Sequence, residues 1–468
     1  MSFYPPVPLG SRFSTTLQAL ADPAGSSWDE ALPATQITQF AAETGLTFGS
    51  GADDIYTPAV TLWAFLAQVL SASKSCVAAV ARVLVLRAAL GLPPCSANTG
   101  AYCKARGKLS AQFLRGLTYA VGEAVEDQAP DPWRWHGRRV LLADGFEATL
   151  PDTPANQRAY PQPRSQKPGL GFPMIRVVVL LTFATASLVG AAYGPHQGKE
   201  TGETALFREL LDRLRRGDVV VADRYYCSYW IIAMLQQRGV EVAFRLHQLR
   251  HYDFRRGRRL GSGDHLVIWT KPQRPQWMDR QLYASLPEAL TVREIRFRVD
   301  QPGCRSREIL VATTLSDAER FPKNDLADLY HQRWHVELDI RAIKQTLRLD
   351  QLTCQTPAMV ERELWVHLLG YNLVRKVMAV AAWAHGWRPR QLSFAGAVQT
   401  LEQFRGLLLG LAETDQQAIA LRLLRAVASH RVGQRPGRVE PRAVKRRPKQ
   451  YDRLMKPRAE ARAELLRN

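Results

Sequence analysis

The sequence predicts an α/β core set between helical segments, and three observations carry that prediction. Apolar residues recur at three- and four-residue spacing between Pro58 and Val125. From Arg138 the pattern changes to short apolar runs alternating with an amphipathic stretch, as expected for strands and helices packed in layers. Beyond residue 320 the helical periodicity returns. At 468 residues the chain has room for two to four domains, each with its own core.

Composition narrows the class. A hydrophobic fraction of 46% and 11 Trp fit a globular protein and exclude a disordered one. Sixty-three Lys and Arg against 43 Asp and Glu leave +20, an excess that suits a polyanionic partner because each phosphate neutralised releases a counterion. The six cysteines (Cys76, Cys95, Cys103, Cys227, Cys304 and Cys354) form no CxxC pair. That argues against a zinc ribbon or a disulfide framework and for a reducing compartment. No secretory signal is visible in Met-Ser-Phe-Tyr-Pro-Pro. The most apolar stretch, Val177 to Tyr193, is broken by Thr182, Thr185 and Ser187 and is too short and polar to span a bilayer. The expectation is a cytoplasmic protein without a membrane partner.

Charge is spread unevenly. Residues 1–130 carry a net of −1, residues 245–307 a net of +8, and the Pro- and Arg-rich tail 431–468 a net of +9. In the first segment, helices are predicted over Pro58–Leu70 and Lys74–Leu90, with Gly91-Leu-Pro-Pro94 as the stop. A short helix to Ala105 and another over Ser110–Val125 follow. With Lys104, Arg106, Lys108 and Arg115 they fit either a DNA-reading helix-turn-helix or an ordinary bundle.

Arg139–Ala143 reads as a buried strand ending at Asp144, and Ile175–Phe183 with Leu188–Tyr193 as a hairpin around Ala184-Thr185-Ala186. Glu203–Leu214 is an amphipathic helix by its leucine spacing. Asp218–Ala222 is a second buried strand, ending at Asp223; a helix Tyr229–Arg238, a stop at Gly239 and a strand Glu241–Leu246 complete the layer. Residues 247–320 read as an Arg-rich β insertion with strands near Leu266–Trp269 and Val292–Val299. Long helices over Asn324–Leu349 and Met359–Trp383 follow, then two more, near Leu392–Gly410 and Thr414–Ala428.

Asp144 and Asp223 are the first chemical signal. Most aspartates at strand ends cap a turn. Two at equivalent ends of neighbouring strands place like charges side by side, an arrangement that calls for cations between them. The helix from Asn324 supplies a third carboxylate. At about 100° per residue, Tyr330, Arg333, Glu337 and Lys344 share an arc of about 60° beside an apolar stripe of Val336, Ile340, Ile343 and Leu347. A solvated face with i,i+4 pairs accounts for Glu337 with Arg333 and Arg341 but gives Tyr330 no use there.

The spacing Tyr-x2-Arg-x3-Glu-x6-Lys resembles the signature of the YREK group (IS-four type) of bacterial insertion-sequence transposases. Asp223-Arg-Tyr-Tyr-Cys-Ser resembles the family's second-Asp motif and Asp144-Gly-Phe its first; the similarity covers roughly residues 58–380. The resemblance implies an RNase-H-like catalytic domain in which Asp144, Asp223 and Glu337 hold two Mg²⁺ ions, with Mn²⁺ as a substitute. It further implies nicking at the element's ends, hairpin formation and joining of 3′-hydroxyls to target DNA. Tyr330, Arg333, Lys344, Arg341 and Arg245 match phosphate-gripping positions. The partner implied is double-stranded DNA, both element ends and target, bound by a homodimer assembled on that DNA in the nucleoid.

On this basis residues 1–135 form an N-terminal helical DNA-binding domain. The catalytic domain occupies 136–246 and 321–385 around the β insertion 247–320, before a C-terminal helical region 386–430 and the basic tail 431–468. One departure stands out: relatives can place a tryptophan before the last insertion strand to stack a flipped base, and Arg307-Glu-Ile-Leu-Val311 has none. Trp269 and Trp277 are the candidates for that task. The alternative function is a catalytically silent DNA-binding regulator, which has no need to keep all three carboxylates.

Overall fold

The computed structural model describes residues 32, 34–51, 54–71, 73–298, 308–404, 413–433 and 454–467. They divide into two compact units. A sheet unit takes the described residues of Arg138–Val179, Ala191–Glu337 and Gly433–Asn468; a helical unit takes those of Met1–Gly137, Leu180–Gly190 and Leu338–Val432. The fold class is mixed α/β, and no helix among the described residues is long and apolar enough to cross a membrane.

Among the described residues nine strands make one sheet: β1 Val140–Thr149, β2 Met174–Thr182, β3 Leu188–Pro195, β4 Val219–Ala222, β5 Glu241–Arg245, β6 Arg258–Gly261, β7 Asp264–Thr270, β8 Ala289–Arg298 and β9 Glu308–Thr313. Their order is β3-β2-β1-β4-β5-β9-β8-β7-β6. The short central strand β4, Val-Val-Val-Ala, is buried throughout, as a strand covered on both faces requires. It runs parallel to β1 and β5, whereas β9, β8, β7 and β6 continue from β5 in antiparallel pairs. The Arg-rich segment therefore extends the same sheet instead of forming a separate one. Its polar core is fully paired: Arg293 donates to both oxygens of Asp264, at 2.8 and 2.6 Å, and to the carbonyls of Leu315 and Phe321.

Three predicted elements differ from the structure. Strand β1 does not end at Asp144 but runs on to Thr149, because Phe146, Ala148 and Leu150 alternate inward beyond it. The helix predicted over Glu203–Leu214 is a six-residue helix, Glu203–Arg208, followed by a 3₁₀ turn at Leu211–Arg213. The helix predicted over Asn324–Leu349 is three pieces: Lys323–His331, Trp334–Arg341 and a π-helical turn Ala342–Thr346. No Pro or Gly marks the break at Gln332-Arg333, and π-helical turns of this kind cluster at functional sites.

In the helical unit, Thr57, Ser75 and Ser110 cap the helices Pro58–Leu70, Cys76–Ala89 and Ala111–Asp127, each accepting a backbone N–H of the first turn. Gly91 ends the second of these in the left-handed region at φ +66°. The core helix Pro357–Ala384 is buried along most of its 28 residues. Its Asn372 accepts from Leu188 N at 2.8 Å and donates to the carbonyls of Thr118 and Leu188, also at 2.8 Å. Gly122 permits that approach, since a Cβ there would meet the Leu188 oxygen at 2.1 Å. Asp339, also buried, pairs with Arg375 at 2.6 Å and Arg390 at 2.8 Å. Arg106 serves this interior too, donating to Gln68 Oε1 at 2.8 Å under the rings of Phe65 and Tyr102, so it is not presented as a DNA reader; Lys104 and Arg115 are exposed. The stretches 299–307, 405–412 and 434–453, which hold part of the insertion, of the C-terminal helices and most of the tail, lie outside the described residues.

Candidate active site

The parallel register sets the first two carboxylates. Val140 pairs with Val219 and Leu142 with Val221, a constant offset. Asp144 lies two residues beyond Leu142 in β1, and Asp223 two beyond Val221, just past the end of β4. Asp144 Oδ1 accepts the Gly145 N–H at 2.8 Å. Burial pushes the Asp144 carboxyl up to about 6; the Gly145 bond and Arg333 pull it down, and Asp223 and Glu203 push it further up. Asp223 leaves β4 and caps the 3₁₀ turn Arg224–Tyr226, its Oδ1 accepting from Tyr225 N at 2.8 Å.

Glu337 reaches the site through Arg333. The Arg333 Nη2 donates to Glu337 Oε1 at 2.7 Å, while Nη1 stands 3.7 Å from Asp144 Oδ2. The break before Trp334 places this guanidinium at the turn between two helices instead of on the flank of one. Tyr330, at the end of the first piece, is buried with its ring edge toward Phe297. Burial pushes its phenol up to about 12 against the pull of Arg333 and Arg245. Arg245, at the end of β5, has its own pKa lowered by burial and by Arg224. Tyr330, Arg333, Glu337, Arg245 and both aspartates thus belong to one unit. Arg341, exposed, and Lys344, half-buried in the π-helical turn, belong to the helical unit.

Among the described residues no three Asp, Glu, His or Cys side chains come together as a group that could hold a metal ion. The donors are nevertheless all oxygens, as a hard divalent cation needs, and Mg²⁺ characteristically takes one or two carboxylates and keeps its waters. Asp144 and Asp223 are the carboxylates such an ion would take.

Neither tryptophan proposed for base stacking is free to do it as placed. Trp269 is buried, donates to Glu294 Oε1 at 2.9 Å and carries Arg250 over its ring at 3.6 Å; Trp277 carries Arg208 at 3.8 Å. Exposed rings near the candidate carboxylates in sequence include Tyr225, two residues after Asp223, and Trp334, three before Glu337, at 65% and 54% exposure. Sequence reading passed over two further groups at the site, Glu203 and Tyr226. In the sequence Glu203 serves only as the start of a helix, and Tyr226 only as part of Asp223-Arg-Tyr-Tyr-Cys-Ser.

Residues 135–373 match the family described as "Transposase DDE domain", whose members depend on divalent cations. The transposase InsG of insertion sequence element IS4 from Escherichia coli K12 is 30% identical over 365 residues, spanning 75% of this chain and 77% of that protein. Among solved structures, the piggyBac transposase in a synaptic complex with hairpin DNA aligns over 90% of this chain and 86% of its own, at 10% identity and a TM-score of 0.39. With residues 135–373 matching the family and 30% identity to InsG over most of both chains, this chain belongs to the DDE transposases of the IS4 type, enzymes that cut and join DNA.

Proposed function

We propose that this transposase moves its element by cut-and-paste, with Asp144, Asp223 and Glu337 as the catalytic carboxylates of an RNase-H-like domain. The observation that carries the reading is the position of Asp144 and Asp223, each two residues beyond the last matched pair of β1 and β4, with Arg333 joining Glu337 to Asp144. Strands β3-β2-β1-β4-β5 supply the RNase-H-like half of the sheet, and the remaining strands are the insertion. Two divalent ions, Mg²⁺ or Mn²⁺, supply activation of the attacking oxygen and charge neutralisation at the leaving oxygen.

The chain's own residues do the rest. Arg333 and Arg245 offer fixed positive charge beside the carboxylates, suited to the phosphates flanking the scissile bond. Tyr330, held neutral, donates a hydrogen bond without adding charge. Arg341 and Lys344, in the helical unit, are candidates for further phosphate contacts. Water cuts one strand at the element's end and frees a 3′-hydroxyl, which attacks the opposite strand, closing a hairpin and releasing the flanking DNA; a second water opens the hairpin, and the regenerated 3′-hydroxyl attacks the target. The enzyme works as a homodimer on DNA, in the cytoplasm. In Mg²⁺, Asp144→Ala, Asp223→Ala and Glu337→Ala should each abolish nicking of an end-sequence duplex while end binding persists. Nicking at the wild-type rate in any one of them removes that residue from the site.

A further inference from the structure

We propose that Asp339 positions Glu337: clamped by Arg375 and Arg390, it fixes the angle at which the helix Trp334–Arg341 presents that carboxylate. The proposal rests on the reading of Glu337 as a catalytic carboxylate and names what holds it. The eight-residue helix begins after the break at Gln332-Arg333 and ends in the π-helical turn Ala342–Thr346. Neither end continues as regular α-helix, so neighbouring turns do not fix the rotation of this piece. Its setting depends on what its own side chains touch. Val336, Asp339 and Ile340 form the buried side, while Leu338 and Arg341 are exposed. At about 100° per residue, Asp339 stands about 200° around the helix from Glu337. It therefore grips the back of the helix whose front carries the carboxylate.

The grip is directional. Arg375 Nη2 donates to Asp339 Oδ1 at 2.6 Å and Arg390 Nη1 to Oδ2 at 2.8 Å, so each oxygen has its own guanidinium. Both arginines are held in turn. Arg390 donates through Nε to the Phe183 carbonyl at 2.7 Å and through Nη2 to that of Thr182 at 2.9 Å. Arg375 Nε donates to the Tyr371 hydroxyl at 3.0 Å, which itself donates to the Ala186 carbonyl at 2.8 Å. The rings of Tyr371 and Phe394 stack with centroids 5.3 Å apart, and Arg375 lies against both. Every member of this relay belongs to the helical unit, and it ends on the turn that joins β2 to β3. The bland account is a buried ion cluster that only adds stability. Buried ion pairs serve that end poorly, because desolvation offsets their attraction and well-packed apolar residues do as well or better. Apolar packing, as at Val336 and Ile340, has no preferred direction and lets a short helix turn. Paired hydrogen bonds from a rigid planar fork fix both distance and angle.

The test is single-turnover nicking of an end-sequence duplex in Mg²⁺ by the full-length protein, at a temperature where circular dichroism shows each variant folded. The amplitude of the nicking phase counts competent molecules, whereas its rate constant reports the geometry of the site. Asp339→Asn keeps one acceptor oxygen and loses the charge. It should lower the rate constant roughly ten- to a hundredfold, the size expected when a reacting group is displaced by about 1 Å, with amplitude and end affinity unchanged. Arg390→Lys, which keeps the charge but not the fork, is the second variant should the Asn protein fail to fold. It should slow nicking in the same way, by about three- to tenfold. A rate constant within twofold of wild type in either folded variant, or a loss confined to amplitude, overturns the proposal and leaves the cluster a purely structural role. Glu337→Gln separates the two readings: if it nicks at the wild-type rate, Glu337 is not catalytic and the underlying reading fails instead.

Discussion

Arg333 holds Glu337 by a 2.7 Å hydrogen bond while its other terminal nitrogen faces Asp144. In the metal-free protein the guanidinium thus does part of what a cation does, balancing two carboxylates at once. Arg333→Ala should therefore remove a competitor for those carboxylates and a phosphate ligand together. Calorimetry should find Mn²⁺ binding retained or tightened, while hairpin formation on an end fragment falls at least tenfold, as read on a denaturing gel. Parallel loss of metal binding and of hairpins would assign Arg333 a structural role instead.

The Asp144 carboxyl, raised to about 6 by burial, gives a pH signature. Its native pKa lies above the ordinary value, so the native state holds this proton more tightly than the unfolded chain. Metal-free stability from this group is then greatest at low pH and is lost as pH rises through about 6. Asp144→Asn should melt above the wild type at pH 8 without metal, and the gap should close toward pH 4. Metal must displace the same proton, so wild-type Mn²⁺ affinity should fall about tenfold per unit below pH 6 and level off above pH 7. Melting curves and titrations at several pH values check both halves.

Tyr330 can be tested without emptying its pocket. Tyr330→Phe keeps the ring against Phe297 and removes only the hydroxyl. The variant should nick an end fragment at near the wild-type rate and accumulate nicked DNA with few hairpins. Hairpins formed in step with nicks would show that the hydroxyl is not used in the second step.

Asp339 lies two residues beyond Glu337 and is anchored to Arg375 and Arg390. Asp339→Ala leaves buried guanidinium charge unpaired and should cost about 3–5 kcal/mol of stability. Urea denaturation measures it; a loss under 1 kcal/mol would mean the arginines find other partners.

The basic tail should act without regard to sequence. Deleting residues 435–468 should weaken binding to all duplexes alike and flatten the dependence of log affinity on log salt. Its described end is not loose: Arg458 bonds Asp152 at 2.8 Å, so the deletion also frees that carboxylate. An unchanged salt slope would make the tail dispensable for DNA contact.

Much of the site was legible because its signals are local. Apolar runs halted by aspartate announced β1 and β4, Gly91 and Gly239 ended their helices, and the hairpin turn fell at Ala184–Ala186 as predicted. The continuation of β1 past Asp144 was also written in the sequence, in the alternation Phe146, Ala148, Leu150, but the aspartate was mistaken for a stop. What could not be read depends on partners distant in sequence. The break at Gln332-Arg333 carries no Pro or Gly, so a helical wheel treats three pieces as one. Glu203 comes up against Gly145, 58 positions away, only once the sheet has formed.

The pairing of β9 with β5 has a consequence for how this enzyme can diverge. Chain leaving the sheet at Arg245 comes back at Glu308 to the very next place in it, and β6 to β8 are added outward from there. Everything between those points is a sidetrack that rejoins the main line where it departed. The sidetrack can lengthen, shorten or be exchanged between elements without shifting the Asp144–Asp223 register by a residue. One lineage could thereby acquire new contacts to its DNA while its cutting chemistry stays fixed.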